Sequence, residues 1–125
     1  MGKRILVVED DITNSMLIKQ ILTKNEIEVD IANDAISGWE KCSQKNYDLF
    51  IVDLNLPFGA NGFEFLMRIR STPEYKNTPV IAITAYIGIF DRDETLNKGF
   101  NYYVQKPFDI KYFARLVDKI FEETQ

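Results

Sequence analysis

The 125-residue sequence contains no histidine and a single cysteine, Cys42. Without histidine, imidazole is excluded as a general base, as a metal ligand and as the carrier of a phosphohistidine. One cysteine cannot form an internal disulfide, which fits a reducing compartment. Any chemistry in this chain must therefore use carboxylates, hydroxyl groups, lysine and a bound metal ion.

Long apolar segments and basic runs are also missing. The first apolar run, at 5–8, is much shorter than the core of a signal peptide or the roughly 20 residues that cross a membrane. Lys and Arg are scattered along the chain and the formal net charge is −4, which disfavours direct binding to nucleic acid. These absences predict a cytoplasmic protein that binds neither nucleic acid nor a membrane.

Short apolar segments alternate with helical patterns along the chain. Strands are predicted at 5–8, 28–32, 49–52, 80–83 and 102–104. Helices are predicted at 12–24, 34–45, 63–70, 91–98 and 109–122. Continuous apolar runs rich in Val and Ile are typical of strands buried on both faces of a parallel sheet. The repeated strand–helix order predicts an α/β fold, a three-layer doubly wound sandwich that residues 1–125 form as one domain.

The apolar residues of each helical pattern predict the face that packs on the sheet. The predicted contacts are Ile12, Met16, Ile21 and Leu22, then Ala35, Ile36, Trp39 and Cys42, then Phe63, Leu66, Met67 and Ile69, and finally Ile110, Phe113, Val117, Ile120 and Phe121. Asp34 and Asp109 are predicted N-caps, and Gly99 is a predicted helix stop.

Polar residues follow four of the predicted strands: Glu9, Asp10 and Asp11, then Asp53, then Thr84, then Lys106. Open parallel sheets bind ligands at the carboxyl ends of their strands, so these side chains are expected to converge. Carboxylates packed together repel one another unless a cation neutralises them, and oxygen ligands favour Mg²⁺ or a similar ion. The set predicts a site where an Asp oxygen attacks phosphorus beside a metal, while a lysine and a hydroxyl hold the other phosphoryl oxygens.

Four segments carry a family resemblance: 5–10 (ILVVED), 52–57 (VDLNLP), 83–85 (ITA) and 106–108 (KPF). In this order, and each at a predicted strand end, they resemble the receiver domain of two-component response regulators. The resemblance covers essentially the whole chain and is to single-domain receivers of the chemotaxis-regulator type. It implies a flavodoxin-like fold with a five-stranded parallel sheet in the order 2-1-3-4-5.

The resemblance implies a phosphoacceptor and a metal site. Asp53 would take the phosphoryl group. Mg²⁺ or Mn²⁺ would be bound by Glu9, Asp10, Asp53 and the backbone carbonyl of Asn55, with Asp10 the better candidate for direct ligation.

The resemblance also implies a switch. Thr84 would be the hydroxyl that moves toward the phosphoryl group, and Lys106 would be the lysine that pairs with that group. Tyr103 would be the aromatic residue whose ring swings inward when Thr84 moves. Pro107 matches a position that often follows a cis peptide bond.

The implied partners are a sensor histidine kinase or a histidine phosphotransfer protein, as external donor, and a downstream target protein. Phosphorylation would change the surface of the fourth helix, fifth strand and fifth helix, where Tyr112, Arg115 and Leu116 are expected to be exposed. The resemblance implies a signalling switch rather than an enzyme with a separate substrate. The switch would be a monomer or a weak, phosphorylation-dependent dimer. Tyr86 is expected to shield the acyl phosphate and slow its hydrolysis.

One segment departs from the family pattern. Gly62 lies nine residues after Asp53, one residue further than is usual, and Asn61 replaces the usual acid. The path of this segment over the site is therefore open, and Phe58 is expected near the phosphorylation pocket.

Other interpretations stay open at this point. Asp11 is expected to be an acid at a helix N-terminus, Thr84 is alternatively a turn hydroxyl, and Tyr103 is alternatively a fixed core aromatic.

A haloacid-dehalogenase-like phosphatase would need an Asp-x-Asp motif after the first strand, which is missing. A pseudo-receiver that takes no phosphate is a third class. Met1 and the short lead-in favour a free-standing protein over a receiver excised from a hybrid kinase.

Overall fold

The computed structural model describes residues 2–24, 26–56, 61–85 and 91–123. The elements are β1 (Lys3–Val8), α1 (Ile12–Leu22), β2 (Ile27–Ala32), α2 (Ala35–Gln44), β3 (Leu49–Asp53), α3 (Gly62–Arg70), a 3₁₀ turn (Pro73–Tyr75), β4 (Val80–Thr84), α4 (Arg92–Asn97), β5 (Tyr102–Gln105) and α5 (Ile110–Glu123). The predicted alternation is confirmed, and each end lies within two residues of its predicted position. Within the described ranges, no helix is long and apolar enough to cross a membrane.

The five strands form one parallel sheet in the order β2-β1-β3-β4-β5. This is the predicted order, with β3 at the centre. Val8 of β1 pairs with Val52 of β3, and Asp53 pairs with Ile83 of β4. The carboxyl ends of neighbouring strands therefore lie level at one edge of the sheet.

Both faces of the sheet are covered, which makes the fold a three-layer sandwich. In β1, Leu6 and Val8 pack in a cluster with residues of α2 and α3, whereas Ile5 and Val7 pack in a cluster with residues of α1 and α5. Successive side chains of a strand point to opposite faces. The continuous apolar runs in the sequence are therefore explained by burial on both sides.

The predicted buried face of α1 is wrong for two residues. Ile12 is 70% exposed and Met16 is 56% exposed, whereas Ser15, Ile18 and Leu22 are buried. These buried positions are three and four residues apart, the spacing of a single helix face. The face against the sheet is narrow, so apolar residues one position away from it point to solvent.

Three further apolar residues are corrected in the same way. Ile36, Met67 and Ile110 were expected in the core and are exposed. In α3 the buried aromatic residue is Phe65, which the sequence pattern did not single out. The remaining predicted core of α5 is confirmed by four buried residues, Phe113, Val117, Ile120 and Phe121.

The surface expected on α5 is exposed only in part. Tyr112 and Arg115 are exposed, but Leu116 is half-buried and packs against the core. Trp39 and Cys42 on α2 are half-buried against the opposite cluster. Burial raises the pKa of Cys42 to about 11, which favours the inert thiol over the reactive thiolate.

The predicted helix ends are also observed. Asp34 accepts a hydrogen bond from the Ser37 N–H at 2.7 Å and caps α2. Asp109 accepts one from the Tyr112 N–H at 3.1 Å. Gly99 has a φ of 119°, a left-handed conformation that ends α4 and that glycine adopts without strain.

The amino-terminal end of the sheet is tied together by Arg70, the last residue of α3. Its guanidinium donates four hydrogen bonds of 2.6–3.0 Å, to the carbonyls of Tyr75, Thr78 and Gly99 and to Oδ1 of Asn101. The same Oδ1 accepts from the N–H of Val80, the first residue of β4. Burial lowers the pKa of Arg70. One side chain thus joins α3 to the segments that lead into β4 and β5.

Candidate functional site

The polar residues that follow the strands come together at the carboxyl edge of the sheet. Glu9 and Asp10 come directly after β1, Asp53 and Thr84 end β3 and β4, and Lys106 follows β5. The edge carries a cleft of about 260 Å³, lined by Glu9, Asp10, Asp11, Asn14, Asp53, Asn55, Ala85 and Lys106. The structure thus brings the predicted acids and the predicted lysine into one cleft.

Asp53 is held at both carboxylate oxygens. The residue is only 5% exposed, at the end of the central strand. The backbone N–H of Asn55 donates to Oδ1 at 3.0 Å, and Lys106 Nζ donates to Oδ2 at 3.0 Å. These two bonds fix the orientation of the carboxylate in the cleft.

Glu9 is fully buried and shares Lys106 with Asp53. Its Oε1 lies 2.6 Å from Lys106 Nζ, but it has no aligned hydrogen bond among the described residues, so the contact is an ion pair. Its Oε2 accepts from the Asp11 N–H at 3.3 Å. Burial, followed by the adjacent Asp53 carboxylate, raises the pKa of Glu9 to about 8, although Lys106 opposes the shift.

Lys106 is the cation that faces these acids. Its side chain is 13% exposed. Burial acts to lower the pKa of Lys106, but the contacts with Glu9 and Asp53 outweigh it and raise the pKa overall. The ammonium group therefore stays charged at neutral pH.

The acidic cluster fits a divalent cation. Carboxylate oxygens of Glu9, Asp10 and Asp53 lie within 4.8 Å of one another. Three carboxylates this close repel one another, and one lysine does not neutralise them. The buried Oε1 of Glu9 also has unused acceptor capacity. Hard oxygen donors of this kind are suited to Mg²⁺ or Mn²⁺.

The adjacent residues Asp10 and Asp11 differ in their contacts. Asp10 is exposed and contributes an oxygen to the acidic cluster. Asp11 caps α1, because its Oδ1 accepts from the N–H groups of Thr13 at 2.9 Å and Asn14 at 3.4 Å. The expectation that Asp11 acts at a helix N-terminus is confirmed.

Thr84 and Tyr103 lie on neighbouring strands. Thr84 is fully buried, and its carbonyl accepts from the Lys106 N–H at 2.8 Å. Tyr103 pairs with Ala82, and its half-buried ring packs against the cluster under α2 and α3. Burial raises the pKa of Tyr103. The switching roles of both residues stay predictions.

Some of the other predicted features of the site fall on residues that the structure describes, and two fall outside them. The peptide bond between Lys106 and Pro107 is cis, as expected. Asn55 uses its N–H for Asp53, and the predicted role of its carbonyl stays a prediction. Phe58 and Tyr86 lie outside the described residues.

A sequence model of the response regulator receiver domain matches residues 5–119 of this chain. The chain belongs to this family. The family resemblance is therefore confirmed, the sheet order that it implied is the one observed, and the family is that of a signalling switch.

The receiver domain has bacterial relatives. It is 41% identical over 107 residues to the response regulator ArlR of Staphylococcus epidermidis, in an alignment that covers 86% of this chain and 47% of ArlR. The chain spans about half the length of the curated relatives it matches. The prediction that residues 1–125 act as a free-standing protein stays a prediction.

Solved receiver structures are similar over nearly the whole chain. The receiver domain of the Francisella response regulator 1452 is 27% identical, with a TM-score of 0.87 over 99% of this chain and 100% of that one. The phosphorylated cyanobacterial phytochrome response regulator RcpA is 27% identical, with a TM-score of 0.80 over 98% of this chain and 93% of that one.

Two residues that line the cleft were given no role from the sequence: Asn14, which was not singled out, and Ala85, which was noted only as part of the 83–85 segment. Asn14 lies three residues after Asp11, and its Nδ2 donates to Asp11 Oδ2 at 3.2 Å. That spacing was an available signal, because residues three apart on a helix are neighbours. Ala85 offered no chemical signal, and only the alignment of the strand ends places it there.

Proposed function

We propose that this receiver domain is a phosphoacceptor switch in which Asp53 takes a phosphoryl group from a partner's phosphohistidine. The observation that carries the proposal is a nearly buried carboxylate held by Lys106 and by the Asn55 N–H, beside the Glu9–Asp10 acid pair. The family match supports it, as does the similarity to RcpA, whose solved structure is of a phosphorylated form.

The reaction uses Asp53 as the nucleophile. A carboxylate oxygen attacks phosphorus, the P–N bond of the donor phosphohistidine breaks, and the imidazole nitrogen leaves with the electron pair. The donor is external because the chain has no histidine. Lys106 lies 3.0 Å from Asp53 Oδ2 and is placed to pair with the phosphoryl charge as it arrives.

Glu9, Asp10 and Asp53 are the residues that would hold Mg²⁺ or Mn²⁺, together with the backbone carbonyl of Asn55. The ion supplies positive charge that offsets the repulsion between the carboxylates and the phosphoryl oxygens. The carboxylates of Glu9 and Asp10 would bind the ion, while Asp53 would also present the attacking oxygen.

The output is a changed surface on α4, β5 and α5. The new charge on Asp53 draws in the Thr84 hydroxyl, and Tyr103 turns inward after it. Thr84 is joined through its carbonyl to Lys106, and Tyr103 lies on the next strand, paired with Ala82. A downstream protein then binds the altered surface.

The protein has no separate substrate under this proposal. Its partners are a histidine kinase or histidine phosphotransfer protein and a downstream target.

Tyr86 is proposed to slow hydrolysis of the acyl phosphate. Replacing Tyr86 with serine should shorten the lifetime of the phosphorylated form, and a longer or unchanged lifetime would count against shielding.

Incubation with acetyl phosphate and Mg²⁺, followed by intact mass spectrometry, tests the proposal. One phosphoryl group should be added to the wild type, little without the divalent cation, and none to the Asp53→Asn variant. Equal labelling of the variant, or an unchanged wild-type mass with both acetyl phosphate and a phosphorylated kinase, would refute the proposal.

A further inference from the structure

Gly62, the first residue of α3, lies against the backbone of Asp53. A Cβ added to Gly62 would lie 2.5 Å from the Asp53 carbonyl oxygen and 2.9 Å from the Leu54 Cα. Both atoms belong to the backbone, so no side-chain rotation relieves the contact. Gly62 also donates its N–H to the Leu54 carbonyl at 3.2 Å. The position therefore requires glycine for close approach.

The peptide that Gly62 contacts is the one that carries the proposed nucleophile. On the other side, the Leu54 N–H donates to the Ile83 carbonyl of β4 at 3.0 Å. The Asp53–Leu54 peptide is therefore fixed between β4 and the start of α3. A shift of this peptide changes the position of the Asp53 carboxylate relative to Lys106.

The start of α3 is itself fixed by a capping box. The Asn61 side chain accepts from the Glu64 N–H at 3.0 Å, and the Glu64 carboxylate accepts from the Asn61 N–H at 3.0 Å. This reciprocal pair sets the residue at which the helix begins. Although the segment after Asp53 is one residue longer than is usual in the family, its glycine still lies against the Asp53 backbone.

We propose that the start of α3, with Gly62 in contact and Asn61 as cap, is a positioning element that sets the Asp53 carboxylate for phosphoryl transfer. Gly62 and Asn61 are positioning residues, since neither touches the reacting atoms. This inference rests on the proposed function of Asp53 as phosphoacceptor.

The Gly62→Ala variant tests the contact, with Gly38→Ala as the matched control. Alanine favours helices more than glycine, so lost helix propensity does not explain a defect in either variant. A Cβ at Gly38 would meet side chains, 2.8 Å from Phe65 Cε1 and 3.3 Å from Val8 Cγ2, and no backbone atom is among its nearest contacts. Gly38→Ala thus reproduces a tight buried methyl group away from the Asp53 peptide.

Phosphorylation by acetyl phosphate is measured at saturating Mg²⁺ over a range of donor concentrations. In Gly62→Ala, the saturating rate constant should fall about tenfold or more, because small misplacements of reacting atoms are costly. The donor concentration that gives half the maximal rate should not change. Gly38→Ala should keep its rate constant within about twofold while losing stability. A wild-type saturating rate in folded Gly62→Ala would overturn the inference.

A second pair of variants decides the matter if Gly62→Ala does not fold. Asn61→Ala removes the cap of α3, and Asp34→Ala removes the cap of α2, which follows the edge strand β2. Each loss should lower the midpoint of thermal unfolding by a similar amount. Only Asn61→Ala should slow phosphorylation, about threefold by the same misplacement. Equal rates for these two variants would overturn the inference.

Backbone NMR separates this inference from the proposed function. The amide signals of Leu54 and Asn55 should shift in Asn61→Ala and stay in place in Asp34→Ala, whether or not Asp53 takes phosphate. Unshifted signals in Asn61→Ala would overturn the positioning role alone. Shifted signals in a protein that is never phosphorylated would refute the phosphoacceptor assignment and leave the structural contact intact.

Discussion

Lys106 and Arg70 are cations held at opposite ends of the same sheet, and their partners differ in charge. At the carboxyl ends of the strands, Lys106 Nζ lies within 3.0 Å of two carboxylates, those of Glu9 and Asp53. At the amino ends, the acceptors of Arg70 among the described residues are neutral oxygens, three of backbone carbonyls and one of a side-chain amide. Lys106 therefore lies among charges of the opposite sign, whereas Arg70 is surrounded by neutral dipoles.

This difference assigns Arg70 to the stability of the fold and Lys106 to the chemistry of the site. Arg70 satisfies three carbonyls in two connecting segments, so it contributes to holding the fold together. In the part of the chain that the structure describes, carboxylates outnumber the cation around Lys106, and one buried acceptor of Glu9 has no aligned donor. An arrangement of this kind costs stability until a bound cation offsets the excess of negative charge.

The largest loss of stability is expected when Arg70 is replaced by methionine. Arg70→Met leaves the carbonyls of Tyr75, Thr78 and Gly99 without these donors and should lower the free energy of unfolding by about 3 kcal/mol. Urea unfolding followed by circular dichroism measures the loss. The folded protein should still take phosphate at the wild-type rate, because Arg70 lies at the other end of the sheet.

Arg68→Met is the control for this change. Arg68 is exposed, and its guanidinium lies 4.5 Å from the centre of the Trp39 ring. Such a contact contributes at most about 1 kcal/mol at an exposed site. Similar losses for the two variants would contradict the role assigned to Arg70.

The fold follows from the sequence more completely than the helix faces do. Strands apolar at every position are recognisable because burial on both sides of a sheet leaves them no polar face. Helix faces are harder, since an apolar residue such as Ile12 or Met16 lies beside the buried stripe without belonging to it. Ser15 is buried despite its hydroxyl because its position on α1 decides its environment.

The site was predictable where chemistry selects the residue type and less so where geometry does. Acids and a lysine that follow successive strands are most simply explained by a shared site at the carboxyl edge of the sheet. Asp53 and Lys106 were therefore identifiable from the sequence. The contact of Gly62 with the Asp53 backbone was not, because a glycine carries no chemical signal. Arg70 was missed for a related reason: its acceptors are backbone carbonyls, which every residue has.

A second effect should appear in the pH dependence of stability without Mg²⁺. The folded pKa of Glu9 is raised from 4.5 to about 8, so its stabilising contribution is complete below 4.5 and is lost as the pH rises through about 8. Stability should fall by about 2 kcal/mol between about pH 6 and pH 8, since each pKa unit is worth about 1.4 kcal/mol and this window covers about half of the shift. The chain has no histidine, and the pKa of Cys42 is raised out of this window.

Glu9→Gln should flatten this profile, because glutamine keeps the shape of the side chain and does not titrate. Glu40→Gln is the control, an exposed glutamate on α2 outside the acidic cleft, and should leave the profile unchanged. Urea unfolding at several pH values gives the comparison. If the wild-type profile were as flat as that of Glu9→Gln, ionisation of Glu9 would not lower the stability, and the prediction would be wrong.

The smallest expected effect is stabilisation by the metal. Mg²⁺ at five times its Kd should stabilise the wild type by about 1 kcal/mol. Asp10→Asn should abolish the gain, because it removes a carboxylate from the acidic cluster. Asp11→Asn should keep it, since asparagine caps a helix as well as aspartate does. Thermal unfolding with and without Mg²⁺ measures both, and an equal response in the two variants would contradict the assignment of Asp10.

The central claim is that the carboxylate of Asp53 accepts the phosphoryl group, and reduction by borohydride tests it at the level of one residue. An aspartyl phosphate is an acyl phosphate, which borohydride reduces to an alcohol, so a phosphorylated aspartate becomes homoserine. Peptide sequencing by mass spectrometry should find homoserine at position 53 in protein treated with acetyl phosphate and Mg²⁺, and aspartate there without the donor. Unmodified Asp53 in a phosphorylated protein, or homoserine at position 10 instead, would contradict the account.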